Sequence, residues 1–314
     1  MGRKSDVADR NGLINVHKPV GITSRRVVDL FSRWAGTKRV GHAGTLDPLA
    51  SGVLVVCVGW ATRLVEHVQS RSKRYEARFL LGRRSNTDDI TGDVIEVADA
   101  RVPQLEEIAS CLPKFVGTIL QTPPQFSAVH VAGQRAYAAA RRGEVVEIAP
   151  RPVVIQRVDL REFHWPELAL EIECGSGTYI RSIGRDLGEL LGCGAVMSAL
   201  VRSGVGEFTL ETAVSLDDLQ ATPFAQSTAL LPPLQAVGHL PQVQVSGAEC
   251  HALLQGKWID AREVDWAEGT TVAILTPGGE LFALAEFAAD SQCLRPRQVF
   301  GAVWRDDLET QGLA

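Results

Sequence analysis

Residues 41–52, Gly-His-Ala-Gly-Thr-Leu-Asp-Pro-Leu-Ala-Ser-Gly, carry one carboxylate, Asp47, among three glycines that allow the backbone to approach a bound ligand closely. A carboxylate is ionised at pH 7 without help, and such a loop is a way for a chain to present a single reactive acid. The competing reading is a helix start, with Asp47 as N-cap and Pro48 in the first helical position. Other chemistries lack their residues. The chain has no G-x-x-x-x-G-K-[ST], no G-x-G-x-x-G and no G-x-S-x-G, so nucleotide hydrolysis, dinucleotide binding and esterase chemistry are unsupported. Gly175-Ser176-Gly177 reads as a tight strand-to-helix turn. The six cysteines form no C-x-x-C pair, and the seven histidines form no H-E-x-x-H. Neither a disulfide framework nor a metal site is expected.

The elements that must position Asp47 follow from apolar spacing. A strand over 13–16 leads to Thr23 or Ser24 as the cap of a helix carrying Val27, Leu30, Phe31 and Trp34 at i, i+3, i+4, i+7. Residues 53–58 are a β-branched run. Over 74–81, Tyr75, Ala77, Phe79 and Leu81 share one strand face, so Tyr75 is expected to point inward. A helix over 104–116 should bury Leu105, Ile108, Leu112 and Phe115, preceded by an exposed acidic loop at 88–99. Residues 121–151 read as an insertion with Pro123-Pro124, a basic helix over 134–142 and a short strand over 145–148. A strand ending at Cys174 runs through the glycine turn into a helix lined by Ile180, Ile183, Leu187 and Leu190 or Leu191. Prolines crowd 221–241, expected to be a linker. Beyond it a helix capped by Ser246 and strands over 271–276 and 280–287 suggest a small β-rich domain at 242–304. There is no internal repeat.

At 314 residues, 45% hydrophobic and 22% charged, the chain has the composition of a globular protein of one large or two unequal domains. No apolar run reaches the eighteen or so residues of a membrane span, and the polar N-terminus has no signal-like segment; a cytoplasmic protein is expected. The net charge of −5 hides an asymmetry: residues 1–84 hold 16 Lys/Arg against 6 Asp/Glu, an excess of ten, and the remainder is acidic. Local charge attracts phosphate, so the glycine-loop segment is the candidate nucleic-acid face.

Four segments carry a family resemblance: Asn15-Val16-His17-Lys18-Pro19-Val20-Gly21-Ile22-Thr23-Ser24, residues 41–52, Lys73-Arg74-Tyr75-Glu76-Ala77 and Gly177-Thr178-Tyr179-Ile180-Arg181-Ser182. Together they resemble the TruB family of tRNA pseudouridine synthases. The likeness extends to Thr122-Pro123-Pro124, Ser127-Ala128 and residues 133–137, and to a C-terminal part similar to the PUA RNA-binding module. It implies an α/β (α+β) pseudouridine synthase fold: a mixed, largely antiparallel central sheet with flanking helices, a catalytic domain over 1–235 with an inserted thumb at about 121–151, and a PUA-like domain over 242–304. It further implies isomerisation of uridine 55 in the T arm of tRNA without cofactor or metal; nothing in the sequence demands an oligomer, and a monomer is expected. Asp47 would be the nucleophile and Arg181 its partner, since a guanidinium favours the charged form and fixes its direction. The target base must be flipped out of its stack. Tyr75 would stack on it for roughly 1–3 kcal/mol. Tyr179 and Leu200 resemble further pocket residues, His42 a residue that holds the flipped RNA, and Lys18 a support of the loop or an RNA contact.

His17 departs from the aspartate common before Lys-Pro in the family. Arg141 and Arg142, with Arg71, Lys73, Arg74, Arg78, Arg83 and Arg84, are candidate phosphate contacts. Two other classes compete. A non-catalytic RNA-binding protein or chaperone would not need Asp47, Tyr75 and Arg181 together. A glycoside-type hydrolase needs a second acid facing Asp47, and the sequence offers no convincing one.

Overall fold

Alternating apolar residues build the centre of the molecule into a ten-stranded mixed sheet. The computed structural model describes residues 10–300 except 128, 129, 132, 133, 136–141, 143–145 and 263. In chain order come β1 (Gly12–Lys18), α1 (Ser24–Trp34), β2 (Val40–His42), β3 (Ala50–Val58), α2 (Val65–Gln69) and β4 (Lys73–Leu81). A two-stranded ribbon of β5 (Arg83–Ser85) and β6 (Val94–Glu96) precedes α3 (Leu105–Cys111), β7 (Gly117–Gln121) and the short pair β8 (His130–Val131) and β9 (Gln134–Arg135). Then follow β10 (Arg151–His164), β11 (Glu167–Cys174), α4 (Ile180–Leu190), β12 (Ala195–Val205), β13 (Phe208–Thr209), β14 (Val214–Ser215) and α5 (Leu216–Ala221). The last part contains β15 (Gln242–Gln244), α6 (Gly247–Leu254), β16 (Ile259–Asp260), β17 (Thr271–Leu275), β18 (Leu281–Ala288) and β19 (Cys293–Val299).

The large sheet runs β14-β1-β3-β12-β4-β11-β10-β7, with β2 on β3 and β13 on β12. Only β1·β14 and β3·β12 are parallel. The expected mixed, largely antiparallel sheet is therefore present. Tyr75, Ala77, Phe79 and Leu81 of β4 are all buried, in one core with Val27 and Phe31 of α1 and Ile183 and Leu187 of α4. Each fully buried side chain of this size contributes about 1.5–3 kcal/mol. α4 presses closer to the sheet than side chains permit: a Cβ on Gly184 would lie 2.2 Å from the Phe79 ring, and one on Gly188 2.3 Å from the Ala195 nitrogen. That contact fixes the first turn of α4, where Arg181 sits.

The opposite face of the sheet, with Leu13, Val53, Val55 and Cys57, is covered by Ala236 and Val237 and by Leu281, Leu284 and Phe300 of the C-terminal part. The C-terminal strands form their own sheet, β15-β17-β18-β19-β16. Ser246 caps α6 with a capping box closed by Glu249.

Several expectations need correction. The proline-rich 221–241 stretch is not a free linker: Leu231 exchanges both backbone hydrogen bonds with Leu13 (2.8 and 3.0 Å) and Phe224 is buried. Proline prevents regular ladders there, but the apolar residues between still pack. The basic helix over 134–142 begins instead as β9, because Gln134–Arg135 pairs with His130–Val131; the remainder up to Arg141 lies outside the described residues. Residues 146–148 are not a strand. The helix after Gln104 is α until Cys111 and then tightens to 3₁₀ through Pro113; Ile108, Leu112 and Phe115 are buried, but Leu105, at the first helical position, is exposed. The acidic loop is only partly solvated, since Asp89 is buried.

Candidate active site

The Asp47 loop is a turn entering β3, not a helix start: the Ala50 amide donates to the Asp47 carbonyl at 3.0 Å. Pro48 takes the second position of that turn, which suits its fixed φ. Neighbouring segments fasten the loop at both ends. Ser24 Oγ donates to the Leu46 carbonyl (3.0 Å) and accepts from the Leu46 amide (2.8 Å), while the Gly21 amide donates to the Pro48 carbonyl (2.7 Å). The close approach that Gly52 permits is to β12 and not to a ligand. Gly52 pairs with Arg202, has φ +110°, and a Cβ there would lie 2.3 Å from the Arg202 carbonyl oxygen.

Arg202 is the residue that this packing brings under the loop, and the sequence reading missed it. Its guanidinium, 1% exposed, donates to the carbonyls of Val53 (2.8 Å) and Gly44 (2.9 Å) and reaches that of Thr45 at 3.5 Å. Leu200 and Arg202 share a strand face, so strand parity was the available signal. Arg202→Lys keeps the charge but not the fork that spans several carbonyls. For the RNA chemistry that the family resemblance implies, it is expected to slow turnover on the order of a hundredfold, since about 1 Å of misplacement can cost that much, with RNA affinity within a few-fold. Single-turnover rates beside binding isotherms check this; a native rate in the folded variant would remove Arg202 from loop positioning.

Arg181, in the first turn of α4 and 6% exposed, links two carboxylates. One terminal nitrogen lies 3.2 Å from Asp47 Oδ2, and the other 3.3 Å from Asp89 Oδ2. The same two nitrogens donate to the carbonyls of Phe126 (3.1 Å) and Thr87 (2.9 Å). Asp89 Oδ1 accepts from Thr87 Oγ1 (2.8 Å) and from the Thr91 amide (2.9 Å). Asp47 Oδ1, by contrast, has no hydrogen-bond partner among the described residues, and the side chain is 42% exposed. One carboxylate is thus buried and consumed in orienting the arginine, while the other keeps an oxygen free to react. Asp89 was hidden in a run read as solvated; threonines on both sides of it were the usable signal, as donors for an Asx-type turn.

A cleft of about 580 Å³ opens over this group. Asp47, Asp89, Tyr75, Tyr179, Arg181 and Leu200 all line it. Burial pushes the Tyr75 phenol up, which keeps it neutral. Tyr179 precedes α4, and Gln121 clamps its backbone: the Tyr179 amide donates to Gln121 Oε1 (2.8 Å) and Gln121 Nε2 donates to its carbonyl (3.1 Å). Arg151 lies over the Tyr179 ring at 5.1 Å. The cleft therefore offers aromatic and aliphatic walls, one free carboxylate oxygen and one fixed cation.

Other expected site residues lie outside its lining. Lys18 is fully buried, and Nζ donates to the carbonyls of Pro19 (2.9 Å) and Ile22 (2.8 Å), so it braces the chain before α1. Burial pulls its ammonium down to about 8, against the pull of Asp47. His42 sits on β2 with a buried Nδ1 that has no hydrogen-bond partner among the described residues, and burial lowers its pKa.

Part of the basic cluster around β4 is engaged within the protein, which leaves Arg74 and Arg78 as its candidates for phosphate contact. Arg71 is buried against the carbonyls of Gln235 and Ala236 and pairs with Glu207. Lys73 is buried, Arg83 faces Glu96 (3.6 Å), Arg84 pairs with Glu189 (2.9 Å) and Arg78 faces Glu162 (3.7 Å). Arg74 lies against Gly204, where a Cβ would be 2.7 Å from its guanidinium. Arg142 is exposed, and Arg141 lies outside the described residues. Among the described residues no group of three or more His, Cys, Asp or Glu could hold a metal ion.

Comparison with known proteins adds a family to this geometry. Residues 32–180 match the model of the TruB family pseudouridylate synthase N-terminal domain, and residues 181–236 that of the tRNA pseudouridylate synthase B C-terminal domain. A protein of Corynebacterium efficiens named tRNA pseudouridine synthase B is 41% identical over 286 residues, covering 90% of this chain and 94% of that protein. Another of that name, from Bradyrhizobium diazoefficiens, is 39% identical over 95% of this chain and 88% of its own length. Among solved structures, an H/ACA RNP bound to a substrate RNA containing 2′-deoxyuridine is similar with a TM-score of 0.72 at 26% identity, covering 95% of this chain and 87% of that one.

Proposed function

Since this chain belongs to the TruB family of pseudouridylate synthases, we propose that its cleft converts uridine 55 in the T arm of tRNA to pseudouridine, with Asp47 as the nucleophile. Pseudouridine formation in tRNA is the activity its relatives' names carry and the one this enzyme has; the position and the residue roles are our assignment. The observation that carries it is the Asp47–Arg181 contact of 3.2 Å beside Tyr75 and Leu200 in one cleft.

In the net reaction the bond from N1 of uracil to C1′ of the ribose breaks, the base turns, and C5 bonds to C1′ while the hydrogen on C5 leaves as a proton and N1 takes one up from solvent. Nothing is oxidised or reduced, so the chemistry asks for positioning and a group that can hold an intermediate. Arg181 fixes Asp47 Oδ2 and leaves Oδ1 free for the reacting carbon. Tyr75 and Leu200 give the flipped base an apolar seat, and stacking offsets part of the few kcal/mol that flipping costs. The side chains of Tyr179 and Arg181 flank the base, Lys18 supports the loop from behind, and His42 helps hold the opened RNA. Arg74, Arg78, Arg141 and Arg142 remain assigned to the RNA backbone.

We assign catalysis to residues 1–235 and RNA holding to the PUA-like residues 242–304. The enzyme acts as a monomer in the cytoplasm, where tRNA is found. Among the described residues no helix is long and apolar enough to cross a membrane.

The test maps pseudouridine by carbodiimide labelling and primer extension on a tRNA transcript after incubation with the enzyme. A single new stop at uridine 55, absent when that uridine is replaced by cytidine, is the expected result. A stop at another uridine would overturn the site, and no stop would overturn the activity.

A further inference from the structure

Resting on the reading that the cleft acts on RNA, we propose that α1 and the turn after it form a phosphate-binding ridge, through Arg26, Arg33, Lys38 and Arg39, that holds the substrate backbone beside the flipped nucleotide. Arg26 and Arg33 are seven residues apart, about two turns, and so share the face of α1 opposite buried Val27 and Phe31. Beyond Trp34 the chain folds back on the helix, the Gly36 amide donating to the Arg33 carbonyl (3.3 Å) and the Thr37 amide to that of Ser32 (3.1 Å). Lys38 and Arg39 therefore follow at the same helix end. The ridge starts at the cleft: Thr23, the N-cap that accepts from the Arg26 amide, lines it. From there eleven helical residues extend about 16 Å.

All four side chains are exposed, and none is engaged in a hydrogen bond or ion pair among the described residues. This sets them apart from the β4 cluster, whose arginines and lysine are largely tied up within the protein. The only acid of α1, Asp29, is taken by Arg25 at 2.9 Å. Arg26 also stands in the first turn, where the positive end of the helix dipole disfavours a cation. A polyanion along the ridge reverses that penalty. The basic excess of residues 1–84 thus resolves into an internally paired part and this free part, and charge and continuity with the cleft select RNA as its occupant.

The test compares the native chain with the quadruple variant Arg26→Gln, Arg33→Gln, Lys38→Gln, Arg39→Gln for binding of an unmodified tRNA transcript across a salt series. Releasing four phosphates is expected to reduce the slope of log K against log salt by roughly 3 and to weaken binding at least about tenfold near 0.1 M salt. Arg157→Gln with Arg161→Gln, which removes two exposed cations paired with Glu171, is the control and should keep the native slope. A quadruple variant with native slope and affinity overturns the ridge, as does an equal loss in the control. Thermal unfolding checks that the variants fold; should the quadruple variant fail, Arg33→Gln with Lys38→Gln is expected to lower the slope by about 1.5 and overturns the ridge if it does not. A native chain that leaves the tRNA unmodified would instead sink the functional reading beneath it.

Discussion

Asp47→Asn is expected to lose turnover by at least about a thousandfold while binding tRNA within a few-fold of the native chain. The amide is isosteric and keeps the loop's backbone contacts, which run through Leu46, Pro48 and Ala50 and not through the carboxylate. What it removes is the carboxylate at the cleft that we propose as the nucleophile. Under that proposal the carboxylate acts on carbon and not on phosphate, so affinity should survive. Nucleoside analysis of the digested product, beside filter-binding isotherms, separates the two quantities. Parallel loss of binding and turnover would mean that Asp47 holds the RNA and does not react with it.

Arg181→Met is expected to cost both stability and activity. Its guanidinium neutralises Asp89, whose side chain is 5% exposed, and removing one partner of a buried pair costs about 3–5 kcal/mol. The donors from Thr87 and Thr91 remain on Asp89, so the lower end, about 3 kcal/mol, is the expected loss. For a domain of this size that lowers the melting temperature by roughly 6–12 °C. Arg181→Lys separates the roles, because a lysine keeps a charge near Asp89 but cannot hold two carboxylates and two carbonyls from a planar fork. It should recover much of the stability and still lose about a hundredfold in single-turnover rate, as a misplaced group does. A native rate in Arg181→Lys would show that orientation of Asp47 is not its function.

The parts of the fold that could be read in advance are those where one periodicity dominates. β4 alternates over Lys73–Leu81, and α1 and α4 repeat their apolar residues at helical spacing, so their buried faces were legible. Boundaries governed by contacts distant in sequence were not. Residues 221–241 look like a linker until Leu231 is seen paired with Leu13, more than two hundred residues earlier. The same limit applies to the site. Asp47, Tyr75, Tyr179, Arg181 and Leu200 sit in segments whose motif is local, and the structure brings them to one cleft. Asp89 and Arg202 act through contacts made only in the folded chain, with Arg181 of α4 and with the carbonyls of the Asp47 loop and β3. A buried charged residue inside an acidic run or an apolar strand is read as solvated or as edge until its partner is known. The basic residues carry the same lesson: their number announced a phosphate-binding face, but which of them are free depended on carboxylates far along the chain, such as Glu189 and Glu207.

The most direct measurement is tritium release from a tRNA transcript labelled at C5 of uridine, with a chelator present, comparing the native chain with Asp47→Asn. C5 gives up its hydrogen only when it becomes the glycosidic carbon. Release of about one equivalent per tRNA by the native chain and none by the variant is the result predicted by one modified uridine and one essential carboxylate. Equal release by both proteins would contradict the role of Asp47, and tight tRNA binding without release by the native chain would leave an RNA-binding protein in place of an enzyme.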